Sequence, residues 1–324
     1  MLHGLRGFDL ELIAAHVDHA LRPDSAADAQ RVQELAVHIG AQPHLCRVDV
    51  PAYRRRQSVQ AAARSARYQA LAAAVAELQA QALLVAHTAD DQAETLLLNL
   101  VRGSGLKGLA GMRLDDKIDP RTLGPAVSEV GALPESVRVA RPLLRVDRAT
   151  TLEYCVEVGL SFVADPSNQS RAYTRNRVRL DVLPMLERFN PAIREVLART
   201  ADLIADDETA LDALVSALHA SLVHQASADV LEYDLLGWRP QPRGIQRRLL
   251  RRGLESLLGT LVDVPAAPIE DALDLLRSSQ AGRAYHLPYG VELVTRTATF
   301  TLRLHGAARA RAHTNIRGGA APRV

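Results

Sequence analysis

Aromatic residues are scarce in this chain, 4% of its 324 residues with a single tryptophan, so its interior has to be assembled from Leu, Val, Ile and Ala. Cysteine is scarcer still. Cys46 and Cys155 lie far apart and form no CxxC pair, which argues against a zinc site, an iron–sulfur cluster or a disulfide framework and for reduced thiols. No apolar run approaches the roughly 18 residues of a membrane span, and no charged stretch followed by an apolar one opens the chain. The expectation is a cytoplasmic protein. One-sided charge is lacking too: the net charge is +2, too small to name a partner by itself.

What the chain does have is clustered arginine. Arg54–Arg56 form one run, Arg175, Arg177 and Arg179 a second, and Arg247, Arg248, Arg251 and Arg252 a third. Such clusters mark either solvated faces or phosphate-binding surfaces. The first half of the chain alternates strand and helix signals. LELIAAHV (Leu10–Val17), His44–Val50 and ALLVA (Ala82–Ala86) read as short buried strands. Ser25–Ile39, the alanine-rich Val59–Gln79 and Ala89–Val101 read as helices. This alternation predicts an α/β fold with a doubly wound, mostly parallel sheet. Arg113–Ser136, broken by three prolines and two glycines, reads as a mobile surface loop. Beyond it come a helix from Thr150, long helical stretches at Ala192–His224, Gly244–Leu258 and Pro268–Ser278, and a hairpin pattern over Tyr285–Leu304. The pattern divides into an α/β domain over 1–200, a mainly helical domain over 201–306 and a disordered tail over 307–324.

The most informative stretch is HTADDQAETLLLNLVRGSGLKGLAGM, His87–Met112. It starts at the carboxyl end of a strand, where open α/β sheets bind ligands. His87, Asp91 and Glu94 are spaced i, i+4 and i+7, which on a helix with about 100° per residue would put them on one face. Two carboxylates one turn apart can hold an ammonium, and a histidine beside them can hold a phosphate or shuttle a proton. Thr88-x-x-Asp91 is also a capping box, so Asp91 has a structural reading that Glu94 lacks. RGSGLKG (Arg102–Gly108) combines small residues with the cations Arg102 and Lys107. It suits a phosphate backbone, or simply a glycine turn. HVDHALR places His19 and Arg22 after a strand, AARSARY places Arg64 and Arg67 on one helix face, and YTRNRVR places Arg175 and Arg179 on another.

Taken in order, HVDHALR, AARSARY, AHTADDQAETLLLNLVRGSGLKGLAGM, RPLL at Arg141, DPSN at Asp165, YTRNRVR and LPMLERFNP resemble the tRNA(Ile)-lysidine synthase family of N-type ATP pyrophosphatases. The resemblance runs from about Leu10 to Pro191, and more weakly through QRRLLRR (Gln246–Arg252) and AYHLPYGVEL (Ala284–Leu293). It implies a Rossmann-like domain followed by a tRNA-binding domain. It also implies a reaction: ATP adenylylates the C2 oxygen of the wobble cytidine in the CAU anticodon of an isoleucine tRNA. The ε-amine of L-lysine then displaces AMP. By the same resemblance Asp91 and Glu94 hold lysine, His87 and Arg175 contact phosphate or stabilise charge, and His19 and Arg64 help build the nucleotide pocket. Arg102, Lys107, Arg177, Arg179, Arg247, Arg248 and Arg251 are the tRNA contacts it suggests. Magnesium would accompany the ATP, although no ligand set for it is visible. A homodimer is compatible with the sequence but not specified by it.

One departure stands out. The family's SGGxDS phosphate loop, between the first strand and the first helix, does not occur in this sequence. Two readings follow. Either Met1 is an internal or misassigned start and the protein begins upstream, or the chain is a tRNA-binding remnant without catalysis. A sulfur-inserting relative is disfavoured by the lack of paired cysteines.

Overall fold

In a computed structural model, residues 1, 5, 7–19, 25–48, 59–123, 131–160, 169–259, 264–278 and 281–305 are described. Arg22, the Arg54–Arg56 run, Asp165–Asn168 and the tail from Ala307 lie outside them. The chain divides into two compact units, the first made mainly of residues up to Ala210 and the second mainly of those from Leu211.

The first unit opens with β1 (Ile13–Asp18), α1 (Ser25–His38), β2 (Gln42–Arg47) and α2 (Val59–Glu77). β1 and β2 pair in parallel from Ile13↔Gln42 to Asp18↔Arg47, joined by a helical crossover as parallel strands require. Ala14, Ala36, Ile39 and Ala41 form the small core between them. Alanine dominates here because helix and strand approach closely: Ala66, Ala70, Ala72 and Ala74 of α2 are likewise buried. Next come β3 (Leu83–Leu84), α3 (Ala89–Val101), the short α4 (Leu106–Leu109), β4 (Asp115–Ile118) and β5 (Val137–Ala140). β5 pairs in parallel with β3 and antiparallel with β4. Among the described residues β1–β2 and β3–β5–β4 are separate sheets.

Two expectations need correction here. Arg113–Ser136 does not run as a loop throughout, because Asp115–Ile118 forms an edge strand against Val137–Ala140. Its polar sequence hid this, since an exposed edge strand needs backbone partners more than apolar side chains. Arg138 also closes on Asp115 across that ladder at 2.5 Å. The third strand is only two residues long rather than five.

The unit continues with α5 (Arg148–Glu157), α6 (Thr174–Arg177), a π-helical turn (Val178–Val182), α7 (Leu183–Glu187) and α8 (Ile193–Leu222), in which the division falls. Ala93, Leu97 and Leu98 of α3 pack against Val178 and Leu183. That contact brings the polar faces of α3 and α6 together.

The second unit holds β6 (Val223–Ala226), β7 (Val230–Asp234), α9 (Leu235–Trp238), α10 (Arg243–Leu258), α11 (Ala266–Arg277), β8 (Ala284–Leu287), β9 (Val291–Thr295) and β10 (Thr299–Leu304). The strands make one antiparallel sheet in the order β6-β7-β10-β9-β8. The hairpin pattern is thus three strands, and β6 and β7 extend the sheet beyond it. Tyr289 and Gly290 turn the chain between β8 and β9 with φ of 61° and 74°, in the left-handed region that Gly tolerates best. Tyr233, Trp238 and Phe300 are the aromatic centre of the core, with Tyr233 and Phe300 stacked at 4.9 Å. Three of the chain's twelve aromatic side chains are thus gathered where they fill most volume.

Candidate active site

The N-terminus of α3 sits where β3 ends, and Thr88 caps it in an extended conformation. Asp91 Oδ2 accepts from the Thr88 amide at 2.9 Å and from its hydroxyl at 3.0 Å. The capping reading of Asp91 is therefore realised, but it uses only one oxygen. The helix begins at Ala89, so His87 precedes it and does not share a helical face with Asp91 and Glu94; only the two carboxylates do. The first amide of the helix is taken by the carbonyl of Val146 at 2.9 Å. Asp90 accepts from the Arg148 amide at 2.8 Å. The turn that follows RPLL is thereby fastened to the start of α3.

The remaining carboxylate oxygens all face arginines. Arg175 bridges the pair, with Nε 2.6 Å from Glu94 Oε2 and Nη2 2.9 Å from Asp91 Oδ1. Arg179 grips Glu94 through Nε at 2.5 Å and Nη2 at 3.1 Å, and approaches Asp91 at 3.7 Å. Arg148 stands 3.5 Å from Asp91 Oδ1. Beside them Arg194 links Asp90, at 2.9 Å, to Glu187, at 2.5 Å. Glu94 is completely buried. A carboxylate in that position is stable only when paired, and two guanidinium groups pair it. Burial pushes the Asp91 carboxyl up, but the Thr88 amide, Arg175 and Arg148 outweigh it and hold it below the usual range.

Two arginines from the YTRNRVR segment thus meet carboxylates 81 and 85 residues earlier. Asn176 helps to aim them, its side-chain amide donating to the Ser170 carbonyl at 2.8 Å. The π-helical turn carrying Arg179 re-phases the helix just after Arg177, a distortion common at functional positions.

His87 is held neutral. Burial lowers its pKa to about 4; Asp91 works against this, while Arg141, Arg64 and Arg175 add to it. Its Nδ1 is buried without a partner, as are Arg141 Nε and His19 Nδ1. Arg141, at the end of β5, is nearly fully buried and donates through Nη1 to the Arg113 carbonyl at 2.7 Å. His19 accepts from Arg67 Nε at 3.1 Å, and burial and Arg67 lower its pKa to about 4. Arg64 lies over the Tyr68 ring, 5.1 Å from its centroid. A neutral histidine among arginines, with polar atoms unfilled, suits an anionic ligand.

The loop after α3 is pinned rather than loose. Gln92 reaches back to Met112, accepting from its amide at 2.8 Å and donating to its carbonyl at 2.9 Å. Asn99 donates to the Gly108 carbonyl at 2.7 Å. Gly111, with φ of 63°, leaves room for Gln92, since a Cβ there would fall 2.7 Å from Oε1. Arg102 and Lys107 are exposed on this loop, and Arg177 is exposed on α6.

A family model described as the PP-loop domain matches residues 1–186. The tRNA(Ile)-lysidine synthase of Dehalococcoides mccartyi is 40% identical over 286 residues, 87% of this chain and 58% of that protein. The synthase of Geobacter sulfurreducens is 36% identical over 92% of this chain and 60% of that protein. That of Salinispora arenicola is 39% identical over 88% of this chain and 80% of that protein. The chain belongs to the PP-loop family of tRNA(Ile)-lysidine synthases. It spans a little under two thirds of the length of the first two relatives.

The second unit's arginines are placed unevenly. Arg247 is paired with Glu270, which also receives Arg243 at 2.8 Å. Arg252 meets Asp212 at 3.1 Å and the Ser216 hydroxyl at 2.6 Å. Arg248 has partners of its own, and Arg251 is half-buried on α10. Arg179, grouped by sequence with the tRNA contacts, sits instead on Glu94. Sequence reasoning missed Asp90, Arg148 and Arg194 as members of the network. Only the two adjacent aspartates, Asp90 and Asp91, hinted at it.

Proposed function

We propose that the protein is an ATP-dependent carbon–nitrogen ligase of the cytoplasm. In this reading it joins the ε-amine of L-lysine to C2 of the wobble cytidine in an isoleucine tRNA with a CAU anticodon. The observation that carries the reading is the Asp91–Glu94 pair: two carboxylates on one face of α3, bridged by a single cation at 2.9 and 2.6 Å. A pair that accommodates one guanidinium has the charge and spacing to hold one ammonium. Family membership supports the substrate identities, since the relatives carry the name tRNA(Ile)-lysidine synthase.

The residues present fit part of an ATP pocket, the SGGxDS phosphate loop not being among them. His19, His87 and Arg141 offer buried polar atoms without partners, and Arg64, Arg141 and Arg175 all act electrostatically on His87. When bound, ATP supplies the adenylyl group that turns the C2 oxygen into a leaving group. Magnesium would counter its phosphate charge; among the described residues no cluster of three His, Cys, Asp or Glu could hold a metal.

The chain's own residues have separable tasks. Asp91 and Glu94 orient the amino acid so that its uncharged ε-amine faces C2, converting a bimolecular attack into a positioned one. His87, neutral at pH 7, can donate a ring N–H to a phosphate oxygen but is too weak a base to deprotonate the amine. Arg175 offsets charge as AMP departs. Arg102, Lys107 and Arg177, exposed on the first unit, would contact the tRNA backbone, with Arg248 and Arg251 doing so from α10. The test is ATP-dependent transfer of labelled lysine to a CAU-anticodon isoleucine tRNA transcript by the purified protein, with release of AMP and pyrophosphate. Salt-sensitive tRNA binding with no lysine transfer would refute the ligase reading.

A further inference from the structure

We propose that Arg175 is a built-in substitute for the substrate ammonium. It fills the Asp91–Glu94 cation slot, and lysine binds by exchanging for it and releasing its guanidinium toward phosphate. The inference rests on the lysine reading above and goes beyond it in saying how the slot is opened.

Every oxygen of the two carboxylates already has a donor from the chain. Asp91 Oδ2 is taken by Thr88, and Asp91 Oδ1 by Arg175 at 2.9 Å. Glu94 Oε1 is taken by Arg179, and Glu94 Oε2 by Arg175 at 2.6 Å with Arg179 at 3.1 Å. An incoming ammonium must therefore displace one of these groups. Thr88 is excluded, because its amide is part of the helix cap. Arg179 is a poor candidate: both of its close contacts go to one carboxylate, and its side chain is 18% exposed. Arg175 makes one contact to each carboxylate and is 30% exposed. It also lies one residue from the start of the helical stretch that carries both arginines, whereas Arg179 lies a turn further in.

Removing Arg175 leaves Glu94 held by Arg179, with Arg148 and Arg179 still 3.5 and 3.7 Å from Asp91. The two acceptors it vacates, Asp91 Oδ1 and Glu94 Oε2, are what a compact three-donor ammonium needs. Exchanging cation for cation keeps the buried carboxylates compensated throughout, which loss of a partner alone would not. The exchange also couples the two substrates: Arg175 becomes free for phosphate only when lysine is in place. Competition from Arg175 must weaken the apparent affinity for lysine, as any unproductive state of a site does.

The experiment is lysine binding to the purified protein, measured by equilibrium dialysis with labelled lysine, for the wild type, Arg175→Gln and Arg175→Lys. Arg175→Gln should bind lysine about tenfold more tightly while losing lysine transfer about a hundredfold. Arg175→Lys, which keeps a cation in the slot, should bind no more tightly than wild type. Equal or weaker binding by a folded Arg175→Gln overturns the exchange. No lysine binding by any of the three refutes the lysine reading itself, and the exchange with it. Should Arg175→Gln not fold, the arginine Nε–H resonances of the wild type decide. Saturating lysine should shift that of Arg175 and leave that of Arg179 in place. Both remaining unmoved would also overturn the exchange.

Discussion

Glu94 and Glu270 each receive two arginines, but Glu94 is fully buried whereas the Glu270 side chain is 32% exposed. Glu94 gathers Arg175 and Arg179 from a distant segment at the end of a strand. Glu270 gathers Arg243 and Arg247 from the neighbouring helix, at the rim of an apolar core. The ion-pair chemistry is the same and the consequences differ. A surface pair exchanges good hydration for good contacts and is worth little. A buried carboxylate stripped of its partners leaves charge in a poorly solvated place. The first unit therefore depends on its charges for integrity as well as chemistry. The second depends on Tyr233, Trp238, Phe300 and the leucines around them, and its ion pairs lie at the surface.

The largest effect that sharpens this contrast is expected from Glu94→Gln. It removes the charge that pairs Arg179 and one of the two carboxylates that pair Arg175, should cost about 3–5 kcal/mol in denaturant unfolding, and should lower lysine transfer more than a hundredfold. Unfolding at the wild-type midpoint would break the contrast. Gly253→Ala comes next. A Cβ there meets the Tyr233 hydroxyl and falls 2.9 Å from Leu302 Cδ1, so about 1–3 kcal/mol should be lost through overpacking. The KM for lysine should not change.

A smaller effect follows from pH. His87 and His19 both have pKa values lowered to about 4 by burial. An unfolded histidine takes up its proton near 6.5, whereas the folded protein resists until about 4. Their contribution is thus intact above pH 6.5 and lost as pH falls toward 4. The melting temperature should drop across that window, and less so in His87→Gln. The smallest stability effect is expected for Glu270→Gln: an unchanged melting temperature, with tRNA bound roughly two- to fivefold more tightly at low salt because Arg247 is released, while Arg243 keeps Asp274 at 2.6 Å. A large loss of stability in this variant would show that the two carboxylates are alike after all.

Much of the architecture was legible in the sequence. Ala89–Val101 forms the helix its periodicity and capping box indicate, residue for residue. The helices from Ser25, Val59, Ile193, Arg243 and Ala266 begin within two residues of where the pattern puts them. Strands were harder. Asp115–Ile118 and Val223–Ala226 have no apolar alternation to betray them; a partner strand makes them strands. The site was half legible. Asp91 and Glu94 share a face because a helix repeats every 3.6 residues, and that much is local.

The sequence by itself determined which residues could carry charge into a binding site and on which elements they would ride, because helix periodicity, capping and strand length are set by near neighbours. Only the tertiary structure decided where those charges go. Packing of Ala93, Leu97 and Leu98 against Val178 and Leu183 brings Arg175 and Arg179 onto Glu94, and leaves Arg177, between them in sequence, exposed to solvent. The i, i+4 spacing sets Arg175 and Arg179 apart from Arg177, but it does not say which face meets a carboxylate. Burial does, because a carboxylate withdrawn from water must be paired by whichever cations the packed fold delivers.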